Sequence, residues 1–404
     1  MTVTTGTRVQ AAGAVMDVRS DQPPLEFVAG TAAAHPFVTV VVPTLNEAGY
    51  IEACLASLVK QWPASACEIM VMDGGSEDDT VACVEAFAAR HPAPDFPSIR
   101  ALPNPQRIQS AAVNLAARLA TPRATILIRA DAHAHYPAGF IRRCVGDLLR
   151  TGATSVVVPM ANRSQPDNGV QRAIAAAQSS RLGNGGSAHR AKPRSGFVDH
   201  GHHAAFDRTF FLSVGGYDES FTHNEDAELD HRAQLAGGRV WMCADEPVTY
   251  FPRKRLGALS RQYFRHGAGR ARTLVKHRLK PRPRQMAPVM ALGLCLAGIL
   301  ALPVLPILSL LALAYPLGCL GWGGAQAIAR RDAWLLAAGP ALLTMHLSWA
   351  AGFLRSIVTR GRPSMAVTLA QPTMPMIPAT ASSPDRKAGL DGAGAGARQV
   401  QTAD

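Results

Sequence analysis

Between residues 37 and 159, short runs of β-branched and aliphatic residues alternate with segments whose apolar positions recur every three or four residues. The short runs predict buried strands at 38–42, 69–72, 99–102, 126–128 and 156–158. The segments between them predict helices carrying Ile51, Leu55, Leu58 and Val59, then Val81, Val84 and Phe87, then Ile108, Ala111, Leu115 and Leu119. Ser76, three residues before Asp79, predicts a capping box at the second helix. This rhythm predicts an α/β fold with a mostly parallel sheet and helices on both faces.

The C-terminal third has a different pattern. The stretch 286–329 contains no Asp, Glu, Lys or Arg, and His346 is the only ionisable residue in 333–354. About 20 apolar residues cross a bilayer core of roughly 30 Å, so the first stretch can hold two spans, with a turn at Pro303 and Pro306, and the second stretch one. The alternative is a set of buried core helices, which continuous apolar stretches of this length disfavour.

Charge adds an orientation to these spans. The formal net charge is +12, and the segment 253–284 contains twelve Lys or Arg and no acidic residue. A basic flank stays cytoplasmic, so we expect the domain before it to be cytoplasmic. Arg330 and Arg331 agree with this orientation, whereas Arg355, Arg360 and Arg362 would lie outside if the third segment crossed fully, which leaves that crossing open. One face of the basic segment is apolar and is expected along the lipid headgroups; it carries Leu256, Leu259, Tyr263, Leu274 and Val275.

These patterns divide the chain into five parts. We expect a disordered segment at 1–36, a catalytic domain at 37–252, a basic interface segment at 253–285, two to three transmembrane helices at 286–357 and a disordered tail at 358–404. The seven cysteines form no CxxC pair, which indicates reduced packing residues.

Polar residues follow the first two strands, where ligands of parallel sheets bind. Pro43, Thr44, Asn46 and Glu47 follow the first strand, and Asp73 follows the second, ahead of two glycines. A carboxylate at Asp73 could accept a hydrogen bond from a nucleotide base. The alternative is an ordinary Asp-Gly turn.

Two further acidic motifs could carry chemistry. Asp131 and His133, past the fourth strand, offer oxygen and nitrogen to one divalent ion such as Mn²⁺, unless they form a solvated loop. The run from Glu225 to Asp230 contains four acids; one of them, in a cleft, could be a general base, and the alternative is an exposed helix start. Histidines at 200, 202 and 203 match no familiar zinc spacing, so loop or substrate contacts are favoured over a metal cluster.

Taken in order, these motifs resemble the family 2 glycosyltransferases, whose catalytic domain has the GT-A fold. Residues 43–47 are similar to the family's P-x-x-N-E, 73–76 to its D-D-G-S, 131–133 to its DxD with His133 in the last place, and 215–219 with 225–226 to its G-G-F-D-E and E-D motifs. Residues 262–266 resemble Q-x-x-R-W, with His266 replacing the tryptophan. The likeness spans about 38–272.

The resemblance implies an inverting transferase that uses a nucleotide-sugar donor and a divalent metal, Mn²⁺ or Mg²⁺. It implies Asp226 as the base with Glu225 beside it, and Asp131 and His133 as metal ligands. Its donor contacts would be Pro43, Thr44, Asn46, Glu47, Asp73, Arg107, Asp131 and Arg265.

Residues 129–134, 224–230 and 267–270 narrow the likeness to enzymes that extend lipid-linked repeat units of exopolysaccharides from UDP-glucose. The expected partners are therefore a UDP-sugar, a lipid-linked saccharide acceptor of the polyprenyl-diphosphate type and the cell membrane. Two rival interpretations remain. One is a non-catalytic, membrane-tethered protein that binds a nucleotide-sugar or lipid, and the other is a nucleic-acid-binding surface on the basic segment. That segment adjoins a membrane span and contains no nucleic-acid recognition module, which disfavours nucleic-acid binding.

Overall fold

All five strand predictions and the three helix predictions are confirmed in the computed structural model, which describes residues 35–185, 194–245 and 247–359. The strands are β1 Phe37–Thr44, β2 Cys67–Asp73, β3 Ser98–Pro103, β4 Ala124–Arg129, β5 Ser155–Val158, β6 Met160–Asn162, β7 Gly196–Val198, β8 His202–Asp207, β9 Val240–Met242 and β10 Val248–Tyr250. The helices are α1 Ile51–Leu58, α2 Thr80–Arg90, α3 Gln109–Leu119, α4 Phe140–Thr151, α5 Gly169–Ser179, α6 Arg181–Asn184, α7 Arg208–Ser213, α8 Glu225–Leu235, α9 Leu256–Lys276, α10 Pro283–Ala301, α11 Pro306–Arg330 and α12 Ala338–Val358. The disordered segments expected at 1–36 and 358–404 lie almost wholly outside the described residues.

The sheet has eight strands in the order β3-β2-β1-β4-β8-β5-β9-β7, and a separate pair joins β6 to β10. Strands β1 to β4 are parallel neighbours, as predicted, whereas β8 runs antiparallel to both β4 and β5. The antiparallel direction of β8 places the residues at its start beside the end of β4. The register pairs Ile128 of β4 with Ala205 of β8, so Arg129 lies next to the histidines that begin β8.

Alternation along β1 explains the two layers of helices. Val38, Val40 and Val42 belong to one hydrophobic cluster with α1, α2 and α4, and Val41 belongs to a second cluster with α3 and α7. Successive side chains of a strand point to opposite faces, so a strand that is apolar at nearly every position requires cover on both sides. The sheet is therefore buried, and only its strand ends are left for ligands.

The predicted capping box is wrong. Helix α2 begins at Thr80, and the side chain of Asp79 at its N-cap makes no capping hydrogen bond. Ser76 instead donates to Asp73 Oδ1 at 2.5 Å and accepts from the backbone N–H of Asn46 at 2.9 Å. Its hydroxyl therefore ties the two loops after β1 and β2 together instead of capping a helix.

Helix α9 crosses α12 at very short range. A Cβ added to Gly267 of α9 would lie 1.9 Å from the carbonyl oxygen of Trp349, and one added to Gly352 of α12 would lie 1.9 Å from that of Phe264. Leu259 and Tyr263 are buried in one cluster with residues of α12. The apolar face of α9, which we expected along lipid headgroups, is thus largely covered by protein.

The apolar C-terminal stretches form helices, and residues 302–305 join α10 to α11 at the predicted turn. Within the described ranges, two segments are long and apolar enough to cross a membrane, Pro283–Ala301 and Ala333–Val358. Helices α10 and α11 also expose large apolar side chains, among them Leu300 at 78%, Ile307 at 77% and Leu310 at 66%.

Candidate active site

One cavity of about 900 Å³ lies between the sheet and the C-terminal helices. We call its first side the sheet wall; it is formed by Asp131, His133, His202, Glu225 and Asp226. We call the opposite side the helix wall; it is formed by Tyr263, His266, Arg270, Arg284 and Trp349. The cavity therefore spans the strand ends that bind ligands in α/β sheets and the apolar helices of the C-terminal region.

Four of the predicted donor contacts also line this cavity: Pro43, Thr44, Glu47 and Arg107. They lie at the end of β1 and before α3. Arg107 is exposed and has a left-handed φ of 59°. The sequence-derived donor site is thus largely brought together at one end of the cavity.

Asn46 and Asp73 lie beside the cavity, outside its lining as far as the described residues show. The Asp73 carboxylate accepts hydrogen bonds from the backbone N–H groups of Gly75, at 2.9 Å, and Ser76, at 3.0 Å. The Asn46 side-chain oxygen accepts from the N–H of Glu77 at 2.8 Å. Both side chains hold the shape of the two loops that border the donor end.

Asp131 and His133 follow β4 and face the cavity together. Asp131 Oδ1 accepts from the Gln109 side-chain amide at 2.8 Å, and His202 Nε2 lies 3.5 Å from Asp131 Oδ2. His133 Nδ1 lies 3.2 Å from Glu47 Oε1. A carboxylate oxygen and an imidazole nitrogen are a donor set that fits a divalent ion such as Mn²⁺.

In the part of the chain that the structure describes, no three His, Cys, Asp or Glu side chains form a metal site by themselves. Catalytic metal sites keep open positions for substrate, so a two-residue protein set completed by a substrate diphosphate is chemically reasonable. The residues present therefore fit a divalent ion that binds together with the donor.

Asp226, at the start of α8, accepts three hydrogen bonds on one oxygen. Its Oδ1 lies 2.6 Å from Arg129 Nη1, 3.0 Å from the Tyr217 hydroxyl and 3.2 Å from His203 Nδ1. No described residue donates to its Oδ2. Burial would raise the pKa of Asp226, but the charges of Arg129 and His203 outweigh it and hold that pKa well below its usual range. Asp226 is therefore ionised at neutral pH, with one oxygen fixed and one available.

His203 is fully buried between two carboxylates. Its Nε2 lies 2.8 Å from Asp230 Oδ1, and its Nδ1 faces Asp226. Burial would lower the pKa of His203, but Asp230 and Asp226 raise it to about 10. His200 adds a contact to Asp230 at 2.7 Å. His200 and His203 thus contact carboxylates of α8, a role for His203 that the predicted loop or substrate contacts did not include.

Glu225 precedes Asp226 and is 8% exposed. Apart from the backbone N–H of Glu225 itself, no described residue donates a hydrogen bond to its carboxylate. Burial and the neighbouring charge of Asp226 raise the pKa of Glu225 to about 7. The sheet wall therefore presents two adjacent carboxyl groups in different protonation states near neutral pH.

On the helix wall, residues 262, 263, 266 and 270 of α9 face the cavity, whereas Arg265 is exposed and outside the described lining. The structure does not bring Arg265 to the donor residues. Arg253 does line the cavity, close enough to His133 for its charge to oppose protonation there. Arg253 and Arg270 therefore line the cavity, as does Arg284, whereas Arg265 does not.

Sequence reasoning missed Arg129, His203 and Tyr217 as a set that holds Asp226. One signal was available, because Arg129 ends the buried strand β4 and is 5% exposed. A charged residue at such a position requires an ionic partner. Its partner lies 97 residues away in the sequence, so no local pattern could identify it.

A mixed α/β sheet with loop-borne donor residues, an Asp-x-His pair and an acidic helix start on one cavity defines a GT-A-type glycosyltransferase. The model of glycosyl transferase family 2 matches residues 39–215. The chain is 42% identical to the succinoglycan biosynthesis protein ExoA of Rhizobium meliloti (strain 1021), over 79% of this chain and 94% of that protein. The chain belongs to glycosyltransferase family 2.

Solved structures agree on the fold. The mannosyltransferase PcManGT from Pyrobaculum calidifontis, solved in complex with GDP-Man and Mn²⁺, superposes with a TM-score of 0.53 at 22% identity, over 80% of this chain and 88% of that one. A short match of 57 residues, 39% identical, joins the chain to the glycosyltransferase AglE of Haloferax volcanii and covers 14% of this chain and 19% of that protein. The GT-A prediction and the assignment to the glycosyltransferases are confirmed.

Proposed function

We propose that this glycosyltransferase transfers a hexose, with inversion, from a UDP-sugar to a lipid-linked saccharide during exopolysaccharide or cell-envelope glycan synthesis. The observation that carries the proposal is the single cavity, which joins donor-side residues, an ionised carboxylate and apolar helices. The relative ExoA, named for succinoglycan biosynthesis, supports the exopolysaccharide role. The resemblance of residues 129–134 and 224–230 to that subgroup favours UDP-glucose.

The chemical step is a single displacement. The acceptor hydroxyl oxygen forms a bond to the anomeric carbon, the bond from that carbon to the donor diphosphate breaks, and the hydroxyl proton moves to Asp226 Oδ2. Hydrogen bonds from Arg129 and Tyr217 to Oδ1 orient the carboxylate. Such positioned proton transfer contributes about 10²–10⁴ in rate. We propose that Glu225, which lines the cavity beside Asp226, hydrogen-bonds the acceptor sugar.

The leaving diphosphate requires positive charge. Asp131 and His133 would hold the divalent ion, which supplies Lewis-acid charge to that leaving group. Arg253 and Arg107 face the same end of the cavity and can add to it. We propose that they take the part that the sequence motif assigned to Arg265.

The acceptor is proposed to come from a membrane. Exposed apolar side chains of α10 and α11 form a surface whose contact with water is unfavourable. Lipid would cover this surface. The basic segment 253–284 precedes these helices, which favours a cytoplasmic catalytic domain on the cell membrane. A multi-pass arrangement and an acceptor of the polyprenyl-diphosphate type are parts of this proposal.

The test is transfer by detergent-purified protein, offered a panel of UDP- and GDP-sugars, membrane lipid extract, and Mn²⁺, Mg²⁺ or chelator. We expect labelled lipid-linked sugar with a UDP-hexose and a divalent ion, and none after chelation. Asp226→Asn should abolish the product while the protein still binds UDP. Nucleotide binding without transfer to any lipid would instead support a non-catalytic, membrane-tethered binding protein.

A further inference from the structure

Arg270 is a partly buried cation without an acidic partner among the described residues. It lines the cavity from α9, and Arg284, also without such a partner, lines it from the start of α10. Burial and the charges of Arg282 and Arg284 lower the pKa of Arg270. Arg282 differs from the other two because it forms an ion pair on the surface, with its Nη2 3.2 Å from Asp199 Oδ2. Uncompensated positive charge in a cavity is unfavourable unless an anion binds there.

Close contacts at two glycines near Arg270 fix the position of helix α9 and therefore which side of the helix faces the cavity. A Cβ at Gly267 would meet the backbone of α12, and a Cβ at Gly269 would lie 2.4 Å from the carbonyl oxygen of His223. Asn224, beside that carbonyl, donates to Thr273 of α9 at 3.0 Å. Helix α9 is therefore locked between α12 and the residues that precede Glu225. In this position Arg270 faces the same cavity as the candidate base.

Apolar and aromatic side chains also line the cavity from the C-terminal helices, together with the polar Gln262, Gln285 and His346. The apolar and aromatic set beside the two arginines is Pro288, Tyr315, Met345 and Trp349. A free anion gains nothing from this apolar part of the surface, whereas an anion attached to a hydrocarbon chain gains both from the arginines and from the apolar side chains. The lining thus matches an amphipathic anion whose charged group meets Arg270 and Arg284.

We propose that Arg270 and Arg284 bind the diphosphate of a polyprenyl-linked acceptor, with the first part of its chain against Trp349 and Met345. The inference rests on the proposed function, because it concerns the acceptor of that reaction. It makes the helix wall the acceptor subsite and leaves the donor diphosphate to the opposite end, at Asp131, His133 and Arg253. The two phosphate-bearing ligands are then bound by separate sets of cations.

The test measures binding to the full-length protein in detergent by native mass spectrometry. The probes are undecaprenyl diphosphate, phosphatidylglycerol and inorganic diphosphate. We expect the wild type to retain undecaprenyl diphosphate preferentially, Arg270→Gln to weaken it about tenfold or more, and Arg270→Lys to weaken it less. Arg261→Gln removes the same charge from an exposed position of α9 and should change binding less than about twofold.

Arg284→Gln is a second variant, since its exposed side chain is not needed for folding, and it should also weaken binding. Unchanged binding in both variants would overturn the inference. If inorganic diphosphate bound as tightly as undecaprenyl diphosphate, the site would bind free anions. If phosphatidylglycerol bound as tightly, the site would bind lipid in general. Either result would also overturn the inference.

Transfer assays run in parallel separate the two proposals. Lipid-linked sugar made equally well by wild type and Arg270→Gln would refute the acceptor subsite alone, whereas no product from the wild type would refute the function.

Discussion

On the sheet wall, the Arg129 guanidinium lies 2.6 Å from the Asp226 carboxylate, whereas on the helix wall Arg270 has no acidic partner among the described residues. Burial opposes both charges, but Asp226 keeps the pKa of Arg129 well above its usual value and neighbouring arginines lower that of Arg270. The sheet wall thus has its charges compensated before any ligand binds. On the helix wall, Arg270 and Arg284 have no acidic partner among the described residues, so an anionic ligand could pair with both. We therefore propose preorganised chemistry on the sheet wall and capture of the acceptor on the helix wall of the same cavity.

The largest expected effect comes from removing the proton acceptor on the sheet wall. Asp226→Asn keeps the shape but not the charge, so transfer should fall by about 10²–10⁴. The measurement is the initial rate of lipid-linked sugar formation at saturating donor. Asp167→Asn, at an exposed position outside the cavity, is the matched control and should retain the wild-type rate. A loss of less than tenfold in Asp226→Asn would remove Asp226 from its proposed role.

The second prediction compares one arginine from each wall by the same substitution. Arg129→Gln leaves the Asp226 carboxylate short of its main partner and should lower the free energy of unfolding by about 3 kcal/mol. Arg270→Gln removes a charge that other cations repel, so it should leave stability unchanged or raise it when no lipid is bound. Denaturant unfolding in detergent measures both. Similar losses of unfolding free energy in the two variants would contradict the proposed difference between the sheet wall and the helix wall.

Sequence patterns predicted the strand that ends just before Asp131, because strand periodicity is local. A helix start in the run from Glu225 to Asp230 was only the alternative to a general base in a cleft. Sequence patterns could not predict the Arg129–Asp226 pair, because it joins the end of β4 to the start of α8 across 97 residues of sequence. Nor could they distinguish Arg265 from Arg270. Both lie on α9, and the close contact of Gly267 with α12 decides which of them faces the cavity.

The third prediction concerns pH and the neighbour of the base. Burial and Asp226 raise the folded-state pKa of Glu225 to about 7, above its ordinary value of 4.5. The folded protein therefore binds this proton more tightly than the unfolded chain, so the stability contributed below about pH 4.5 is lost as pH rises through about 7. Glu225→Gln should remove this loss and be more stable than wild type above pH 7. The difference in melting temperature between the two proteins, measured from pH 5 to pH 8.5, should grow with pH; a constant difference would contradict the assignment.

The smallest effect should come from exchanging one proposed metal ligand for another. His133→Asp replaces imidazole nitrogen by carboxylate oxygen, which Mg²⁺ prefers, so the ratio of Mg²⁺ to Mn²⁺ affinity should rise by about tenfold or less. Titration of Mn²⁺ by electron paramagnetic resonance, in the presence of UDP, measures this without relying on turnover. His135→Asp adds the same charge two residues away, outside the described cavity lining, and should leave the ratio unchanged. Because the substitution alters only the sheet wall, binding of undecaprenyl diphosphate at the helix wall should stay within about twofold of the wild type. A joint loss of both ligands would show that the two walls share one anion site.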